Sequence, residues 1–220
     1  MNGSKTFITN GSRADYVIVA ARTGGAGACG ISLIAVPSDA QGFAVGKKLD
    51  KLRARSSDTT ELFFQDCLVP ARYLIGEENR GFGYIVRHFQ GERLVLASFA
   101  NGLMQVMLEE GVRYASAREV FGKPIIKHQV WRHRLTDVVT LIEASRQLTY
   151  FACYRLNRTG HALKESAIAK LFAAESAKKV ANEVFQLHGG YAVVEEYPIC
   201  RLYGEAAGLT IGAGTSEIMR

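Results

Sequence analysis

IGEENRGFG, residues 75–83, divides the chain into two regions with different hydrophobic patterns. Before it, short β-branched and aromatic runs alternate with turn-forming residues, a pattern typical of antiparallel strands. After it, apolar residues recur every three or four positions, as on one face of a helix. We therefore predict an α+β fold, with a partial antiparallel β-domain at residues 1–75 followed by an antiparallel helical bundle at residues 76–220.

The β-region is predicted to contain five strands, at Thr6–Thr9, Tyr16–Ala20, Ile31–Val36, Phe43–Lys47 and Thr59–Gln65. A glycine-rich stretch, RTGGAGACG at residues 22–30, joins two of them. It lacks the Lys-Ser/Thr that follows a phosphate-binding loop, and a strand rather than a helix comes after it. A hairpin loop is therefore favoured over a phosphate loop.

Three long amphipathic helices are predicted from the apolar positions of 94–107, 135–151 and 168–187. Gly189-Gly190 is suited to ending the third helix with a left-handed turn. Long helices with wide apolar faces pack most simply as an antiparallel bundle. We expect its fourth helix to begin at Thr215–Arg220 and to be incomplete, and we interpret the abrupt ends of the chain as those of a fragment.

Composition and charge exclude several classes of function. The formal net charge of +6 comes from scattered Lys and Arg, without the basic and aromatic surface expected for nucleic-acid binding. No run approaches the roughly 18 apolar residues of a membrane span. The four cysteines form no C-x-x-C pair, which favours a reducing compartment, either the bacterial cytoplasm or the mitochondrial matrix. His128 and His133 lie five positions apart and do not share a helix face, so no metal site is predicted.

Three segments carry residues suited to a nucleotide cofactor. GAGTSE at 212–217 places glycines and hydroxyls at an expected helix start, which suits an anion, although a simple capped helix has the same pattern. SAREVFGKPIIKHQ at 116–129 and FQLHGGY at 185–191 add an arginine, an aromatic ring and two glutamines. Each of these residues alone is more often structural.

Glu92, in FQGERLVLAS at 89–98, is expected near the start of an apolar helix. A glutamate in the first turn of a helix is ordinary, because the helix dipole favours it there. Since no nucleophile motif or metal cluster is present, the chemistry left open is that of an acid or base beside a cofactor.

Six motifs in order resemble the acyl-CoA dehydrogenase family across the whole chain: FITNGSRADYVIVAART, SSDTTELFFQDCLVP, LIGEENRGFGYI, AREVFGKPIIKHQ, QLHGGY and GAGTSEI. The resemblance implies the end of the family's middle β-domain followed by its C-terminal helical domain. It implies FAD as cofactor, an acyl-CoA substrate and dehydrogenation to the 2,3-enoyl-CoA. It also implies an electron-transferring flavoprotein as electron acceptor and a homo-oligomer, a dimer or tetramer.

The resemblance assigns site residues by position. The residues that it implies for FAD are Phe7, Ile8, Thr9, Arg118, Phe121, His128, Gln129, Gln186, Leu187, His188, Gly189, Gly190, Thr215, Ser216 and Glu217. Those of 118–129 and 186–190 are expected to reach the FAD of a neighbouring subunit. The residues that it implies for the substrate are Gln90, Arg93, Ala213 and Gly214.

The resemblance also locates the catalytic base. Most branches carry a glutamate immediately before the Gly-Thr of the last motif, but Ala213 occupies that position here. Isovaleryl-CoA and long-chain acyl-CoA dehydrogenases carry their base in an E-R-L sequence, which Glu92-Arg93-Leu94 matches. Glu92 is therefore the expected base, and the small Gly212 and Ala213 leave room for a branched or bulky acyl chain. Two alternatives remain: a truncated, non-catalytic helical oligomerisation module, or an acyl-CoA oxidase.

Overall fold

The computed structural model describes all 220 residues, Met1–Arg220, which divide into two units, Met1–Val86 and Arg87–Arg220. The first unit contains two antiparallel three-stranded sheets, ordered β1-β5-β4 and β2-β3-β6. All five predicted strands are confirmed, and a short sixth is added. The strands are β1 Gly3–Thr9, β2 Tyr16–Arg22, β3 Ile31–Pro37, β4 Phe43–Lys48, β5 Thr59–Phe64 and β6 Leu74–Ile75.

The glycine-rich stretch is a hairpin loop, as predicted. Strands β2 and β3 pair without interruption from Tyr16 opposite Pro37 to Arg22 opposite Ile31. Inside the loop, the guanidinium of Arg22 donates hydrogen bonds to the carbonyl oxygens of Gly25 and Gly27. These two carbonyl groups are therefore hydrogen-bonded within the loop itself.

Both sheets contribute to one apolar core in the β-unit. Val19 and Val36 come from one sheet, and Leu62 and Phe64 come from the other. Burying these side chains is worth about 1.5–3 kcal/mol each, which fixes which face of each strand points inward. The alternation of apolar residues in the sequence reflects this packing.

Four long helices and one short helix follow: α1 Gly81–Ala117, α2 Gln129–Thr159, α3 Leu163–His188, α4 Pro198–Leu209 and α5 Ser216–Met219. The three predicted helices are confirmed and are longer than their apolar patterns. The start of α1 is a correction, because the helix begins at Gly81 and Glu92 lies inside it. Gly81 lets the start of the helix pass close to β3, because a Cβ at this position would lie 2.8–2.9 Å from the backbone of Ser32 and Leu33.

The fourth long helix of the bundle is α4, which the apolar pattern did not lead us to expect, and Thr215–Arg220 contains only the short α5. Proline at the first position of α4 begins the helix. Its buried residues Ile199, Leu202 and Leu209 join the common core of the helical unit. The chain thus builds four packed helices from residues 81–209.

Gly189 ends α3, but not by the left-handed turn that we predicted. Its φ of 57° is positive, whereas its ψ of −136° lies outside the left-handed helical region. A short 3-10 turn, Gly189–Val193, continues from it. None of the helices has the length and apolarity needed to cross a membrane.

Candidate functional site

A two-residue hairpin presents Phe121 to solvent. Strands β7 Glu119–Val120 and β8 Lys123–Pro124 pair around Phe121 and Gly122, whose φ angles of 51° and 76° match the positive values of a type I′ turn. Phe121 is 96% exposed. A bulky residue held at positive φ without burial is unusual, and such strain is concentrated at functional sites.

His128 supports this hairpin from the start of α2. Its Nε2 lies 3.2 Å from the carbonyl oxygen of Val120, and its ring centroid is 6.4 Å from that of Phe121. Gln129, the first residue of α2, is exposed beside it. Phe121, His128 and Gln129 are therefore grouped at one end of α2, with an aromatic ring available for stacking on a ligand.

A cavity of about 400 Å³ brings two of the predicted cofactor segments together. Arg118 lines it from one side, and Leu187–Gly190 line it from the other. The side chains of Leu187 and His188 are buried, so these two residues have mainly backbone to offer a ligand. Gln186 is exposed on the last turn of α3 and does not line the cavity.

His188 is held by two contacts inside the helical unit. Its Nδ1–H donates to the carbonyl oxygen of Val184 at 2.8 Å, since a carbonyl can only accept. The ring of Tyr114 stacks on its ring, with centroids 4.2 Å apart. Burial lowers the pKa of the His188 imidazole below its ordinary value of 6.5, partly offset by the bond to Val184. The bond to Val184 and the stacking on Tyr114 indicate a supporting role for this side chain.

The segment Thr215–Glu217 starts α5 beside a second cavity, of about 450 Å³. The Thr215 hydroxyl accepts from the N–H of Ile218 at 3.5 Å and caps the helix. The carboxylate of Glu217 is exposed, and its pKa is lowered chiefly by its own backbone N–H and then by the hydroxyl of Thr215. Lys178 and Lys179 line the same cavity, together with Glu175, whose carboxylate pairs with Arg220.

These residues fit the FAD that the resemblance implies. The Oγ of Ser216 is buried and has no hydrogen-bond partner in the chain, so it remains available to a ligand. Two lysines beside it suit a diphosphate, as does Arg118 in the first cavity. The exposed ring of Phe121 offers a stacking surface for an aromatic ring system.

The turn before Thr215 has a reversed backbone. Ala213 and Gly214 have φ angles of 50° and 99°, and no hydrogen bond within the chain uses the N–H of Ala213. The ammonium of Lys170, from the middle of α3, donates to the carbonyl oxygen of Gly214 at 2.5 Å. Sequence reasoning missed Lys170, because a single lysine in a helix normally indicates a solvated face.

Glu92 lies on the exposed face of α1, three and seven positions before the exposed apolar residues Val95 and Phe99. Residues at this spacing share one helix face, so the carboxylate stands at the head of an apolar stripe. Arg93 points elsewhere: its Nε is buried without a partner, and its guanidinium lies 5.9 Å from the ring of Phe89.

Gln90 is turned inward, with a side chain that is 3% exposed. Its Oε1 accepts a hydrogen bond from the N–H of Ala162 at 2.6 Å, and its Nε2 donates to Arg87. Both ends of the carboxamide are thus used within the helical unit. The proposed contact between Gln90 and the substrate stays a prediction.

In the β-unit, Phe7 repeats the geometry of Phe121. Its φ is 62° and its side chain is 76% exposed. The register between β1 and β5 shifts between Lys5 and Ile8, so a bulge re-aims this part of the strand. Ile8 is half-buried and Thr9 is exposed. No group of three or more His, Cys, Asp or Glu side chains in the chain could hold a metal ion.

Comparison with known proteins identifies both units. Residues 1–67 match the acyl-CoA dehydrogenase middle domain, and residues 79–220 match the acyl-CoA dehydrogenase C-terminal domain. Among curated proteins, the chain is 41% identical over its whole length to the mouse mitochondrial long-chain specific acyl-CoA dehydrogenase. It is 40% identical to the rice mitochondrial isovaleryl-CoA dehydrogenase. It covers 52% and 54% of these two relatives, about half of their length.

Solved structures agree with the sequence relatives. An acyl-CoA dehydrogenase from Geobacillus kaustophilus superposes with a TM-score of 0.96 at 41% identity, over 99% of this chain and 58% of that protein. The butyryl-CoA dehydrogenase from Megasphaera elsdenii gives 0.95 at 39% identity, over 99% of this chain and 57% of that protein. The same sheets and helical bundle therefore occur in both. By sequence and by fold, the chain belongs to the acyl-CoA dehydrogenase family.

Proposed function

We propose that the chain forms the flavin-binding and catalytic part of an FAD-dependent acyl-CoA dehydrogenase. The observation that carries this proposal is the placement of Glu92: an exposed carboxylate at the head of an exposed apolar stripe on α1. A carboxylate beside a surface that accepts an acyl chain is the arrangement that α-proton removal requires. Ala213 has no acidic group that could do this instead.

In the proposed reaction, the carboxylate of Glu92 takes the α-proton of an acyl-CoA thioester. The unpaired N–H of Ala213 is suited to donate to the thioester carbonyl oxygen, where negative charge develops. When bound, FAD would supply the acceptor for the hydride that leaves the β-carbon, so that the product is the 2,3-enoyl-CoA. The apolar stripe would orient the acyl chain and exclude water from the carboxylate.

The proposed FAD contacts follow the two cavities. Ser216 and its neighbours Thr215 and Glu217 would hold the chain's own FAD beside one cavity. Arg118, which lines the other cavity, would contact the FAD of a neighbouring subunit. Phe121, with His128 and Gln129 next to it, would contribute stacking and polar contacts. In the β-unit, Phe7, Ile8 and Thr9 are the proposed contacts.

A homo-oligomer is part of the proposal. Helix α2 exposes several large apolar side chains, which suit a subunit interface: Val130, Val139, Tyr150, Phe151 and Tyr154. A dimer or tetramer would cover them and would allow Arg118 and the Gln186–Gly190 segment to reach the cofactor of a neighbouring subunit. An electron-transferring flavoprotein is the proposed electron acceptor.

The substrate is proposed to be a branched or medium-to-long acyl-CoA. Gly212 and Ala213 have small side chains, which leave volume next to the proposed thioester position. The long-chain and isovaleryl-CoA relatives, at 41% and 40% identity, are consistent with either choice. Comparing branched and straight acyl-CoA thioesters of several lengths would decide between them.

Reconstitution with FAD tests the proposal. The purified chain is mixed with excess FAD, passed through a desalting column and examined for retained flavin absorbance. Retained absorbance that acyl-CoA bleaches without oxygen supports the dehydrogenase. A colourless chain would contradict it and would favour the helical oligomerisation module. Oxygen consumption with stoichiometric peroxide release would instead favour the oxidase.

A further inference from the structure

Lys170 is buried in a way that lysine rarely is. It lies in the middle of α3, its residue is 1% exposed, and it is the largest of the fully buried side chains. An ammonium group away from water is costly unless it is hydrogen-bonded and compensated. A lysine buried at this position is therefore expected to have a partner for its ammonium group.

The partner of Lys170 is a backbone carbonyl. Its Nζ lies 2.5 Å from the carbonyl oxygen of Gly214. Hydrogen bonds from a charged donor are about twice as strong as those between neutral groups. This bond joins residues 44 positions apart and ties the turn at 212–215 to the centre of the bundle.

A second cationic side chain, that of Arg93, lies near Lys170. Burial lowers the pKa of Lys170, and the nearby guanidinium of Arg93 lowers it further, while Glu217 acts in the opposite direction. The Nε of Arg93 is itself buried without a partner. Lys170 thus lies close to the residue that follows Glu92 and to the residue that ends the proposed FAD segment.

The turn held by Lys170 is strained. Ala213 has a φ of 50°, which costs a residue with a Cβ about 1–3 kcal/mol and persists only where the surroundings enforce it. At Gly214 the φ is 99°, and an added Cβ would lie 2.7 Å from the Cε of Met219. The hydrogen bond from Lys170 fixes the carbonyl group of Gly214, which joins Gly214 to Thr215.

We infer that Lys170 is a positioning residue whose hydrogen bond to Gly214 sets the backbone of the Ala213–Gly214 turn. The bond thereby directs the free N–H of Ala213 and places Thr215–Glu217. The ligands of the turn, a thioester at Ala213 and FAD at Thr215–Glu217, are assigned by the proposed function, and this part of the inference rests on it. The bond and its effect on the turn do not depend on that function.

Amide exchange tests this inference without cofactor. The N–H groups of Gly212 and Ser216 bond to Gly208 and Thr210 and report opening of the turn. In Lys170→Met, they should exchange at least about 10-fold faster, as expected for losing a charged hydrogen bond. Amides of α2 should be unaffected. Lys164→Met, at an exposed position of the same helix, should leave Gly212 and Ser216 unchanged.

Rescue separates positioning from bulk packing. Lys170→Arg keeps a charged donor and should restore most of the protection, whereas a residue needed only to fill volume would be better replaced by methionine. Unchanged exchange at Gly212 and Ser216 in a folded Lys170→Met would overturn the inference. A failure of the chain to retain FAD, by contrast, would count against the proposed function and leave the exchange result standing.

A measurement on the unmodified chain covers the case in which the Lys170 variants do not fold. Nuclear magnetic resonance of a chain with ¹⁵N-labelled lysine and ¹³C-labelled glycine carbonyls should show a coupling across the hydrogen bond between Lys170 and Gly214. Absence of this coupling, with a rapidly exchanging Lys170 ammonium, would overturn the inference. Its presence, together with loss of folding in Lys170→Met and retained folding in Lys170→Arg, would support it.

Discussion

The ring of Tyr114 stacks on the ring of His188, and its hydroxyl donates to the carbonyl oxygen of the same residue at 3.2 Å. This double contact joins α1 to the end of α3, immediately before Gly189 and Gly190. Both glycines line the cavity that Arg118 also lines. The contact between Tyr114 and His188 therefore supports one of the proposed FAD segments.

We expect Tyr114→Phe to destabilise the helical unit by about 0.5–1.5 kcal/mol, because it removes the hydroxyl bond and keeps the stacked ring. Tyr114→Leu should cost more, since it also removes the ring contact. Urea unfolding followed by helical circular dichroism measures both. Tyr154→Phe, at an exposed position of α2, is the control and should be nearly neutral. Equal stability of Tyr114→Phe and the wild type would show that the bond contributes nothing.

The lowered pKa of His188 predicts a pH dependence of stability. Between its folded pKa and the ordinary value of 6.5, the unfolded chain binds more protons than the folded chain. The free energy of unfolding should therefore fall as the pH drops from 6.5 through the folded pKa. His188→Asn should reduce this slope, while His161→Asn, at an exposed position, should keep it. The same slope in the wild type and in His188→Asn would contradict the assignment.

Gln90→Leu should destabilise the helical unit by about 1–3 kcal/mol even without ligand, because it leaves the buried N–H of Ala162 unpaired. Chemical denaturation of the cofactor-free chain gives this value. Gln147→Leu, at an exposed position of α2, is the matched control. If Gln90→Leu were as stable as the wild type and lost only acyl-CoA affinity, the side chain would act on the substrate rather than on the fold.

Phe121→Ala should separate binding from stability. Phe121 is 96% exposed, so the free energy of unfolding should change by less than about 0.5 kcal/mol. FAD affinity should nevertheless fall, because the stacking surface is removed. Titration of the chain with FAD, followed by flavin fluorescence, measures the affinity, and Ile168→Ala on α3 is the control. Unchanged affinity in Phe121→Ala would remove this ring from the proposed site.

The strands and three of the helices could be predicted from the sequence, because their apolar residues recur at regular intervals. The sequence misplaced the start of α1, since Gly81 and Gly83 resemble a linker, whereas Gly81 is required for close approach to Ser32. Helix α4 was missed, although Pro198 and the apolar spacing of Ile199, Leu202, Ala206 and Leu209 could have indicated it.

Side-chain roles were harder to predict than elements. The motif containing His188 indicated a cofactor contact, which stays a prediction, and it gave no sign that the imidazole stacks on Tyr114. The burial of Lys170 could not be predicted from the sequence, because it depends on the approach of a turn 44 residues away. Such long-range contacts leave no local signal. The positive φ angles of Phe7, Phe121 and Ala213 likewise became visible only in the structure.

The most direct test of the account concerns Glu92. In the FAD-reconstituted chain, Glu92→Gln should retain the flavin absorbance but slow its anaerobic bleaching by acyl-CoA by at least about 100-fold, the usual contribution of a general base. Glu109→Gln, at an exposed position of the same helix, should bleach at the wild-type rate. Bleaching of Glu92→Gln at the wild-type rate would contradict the account and place the base elsewhere.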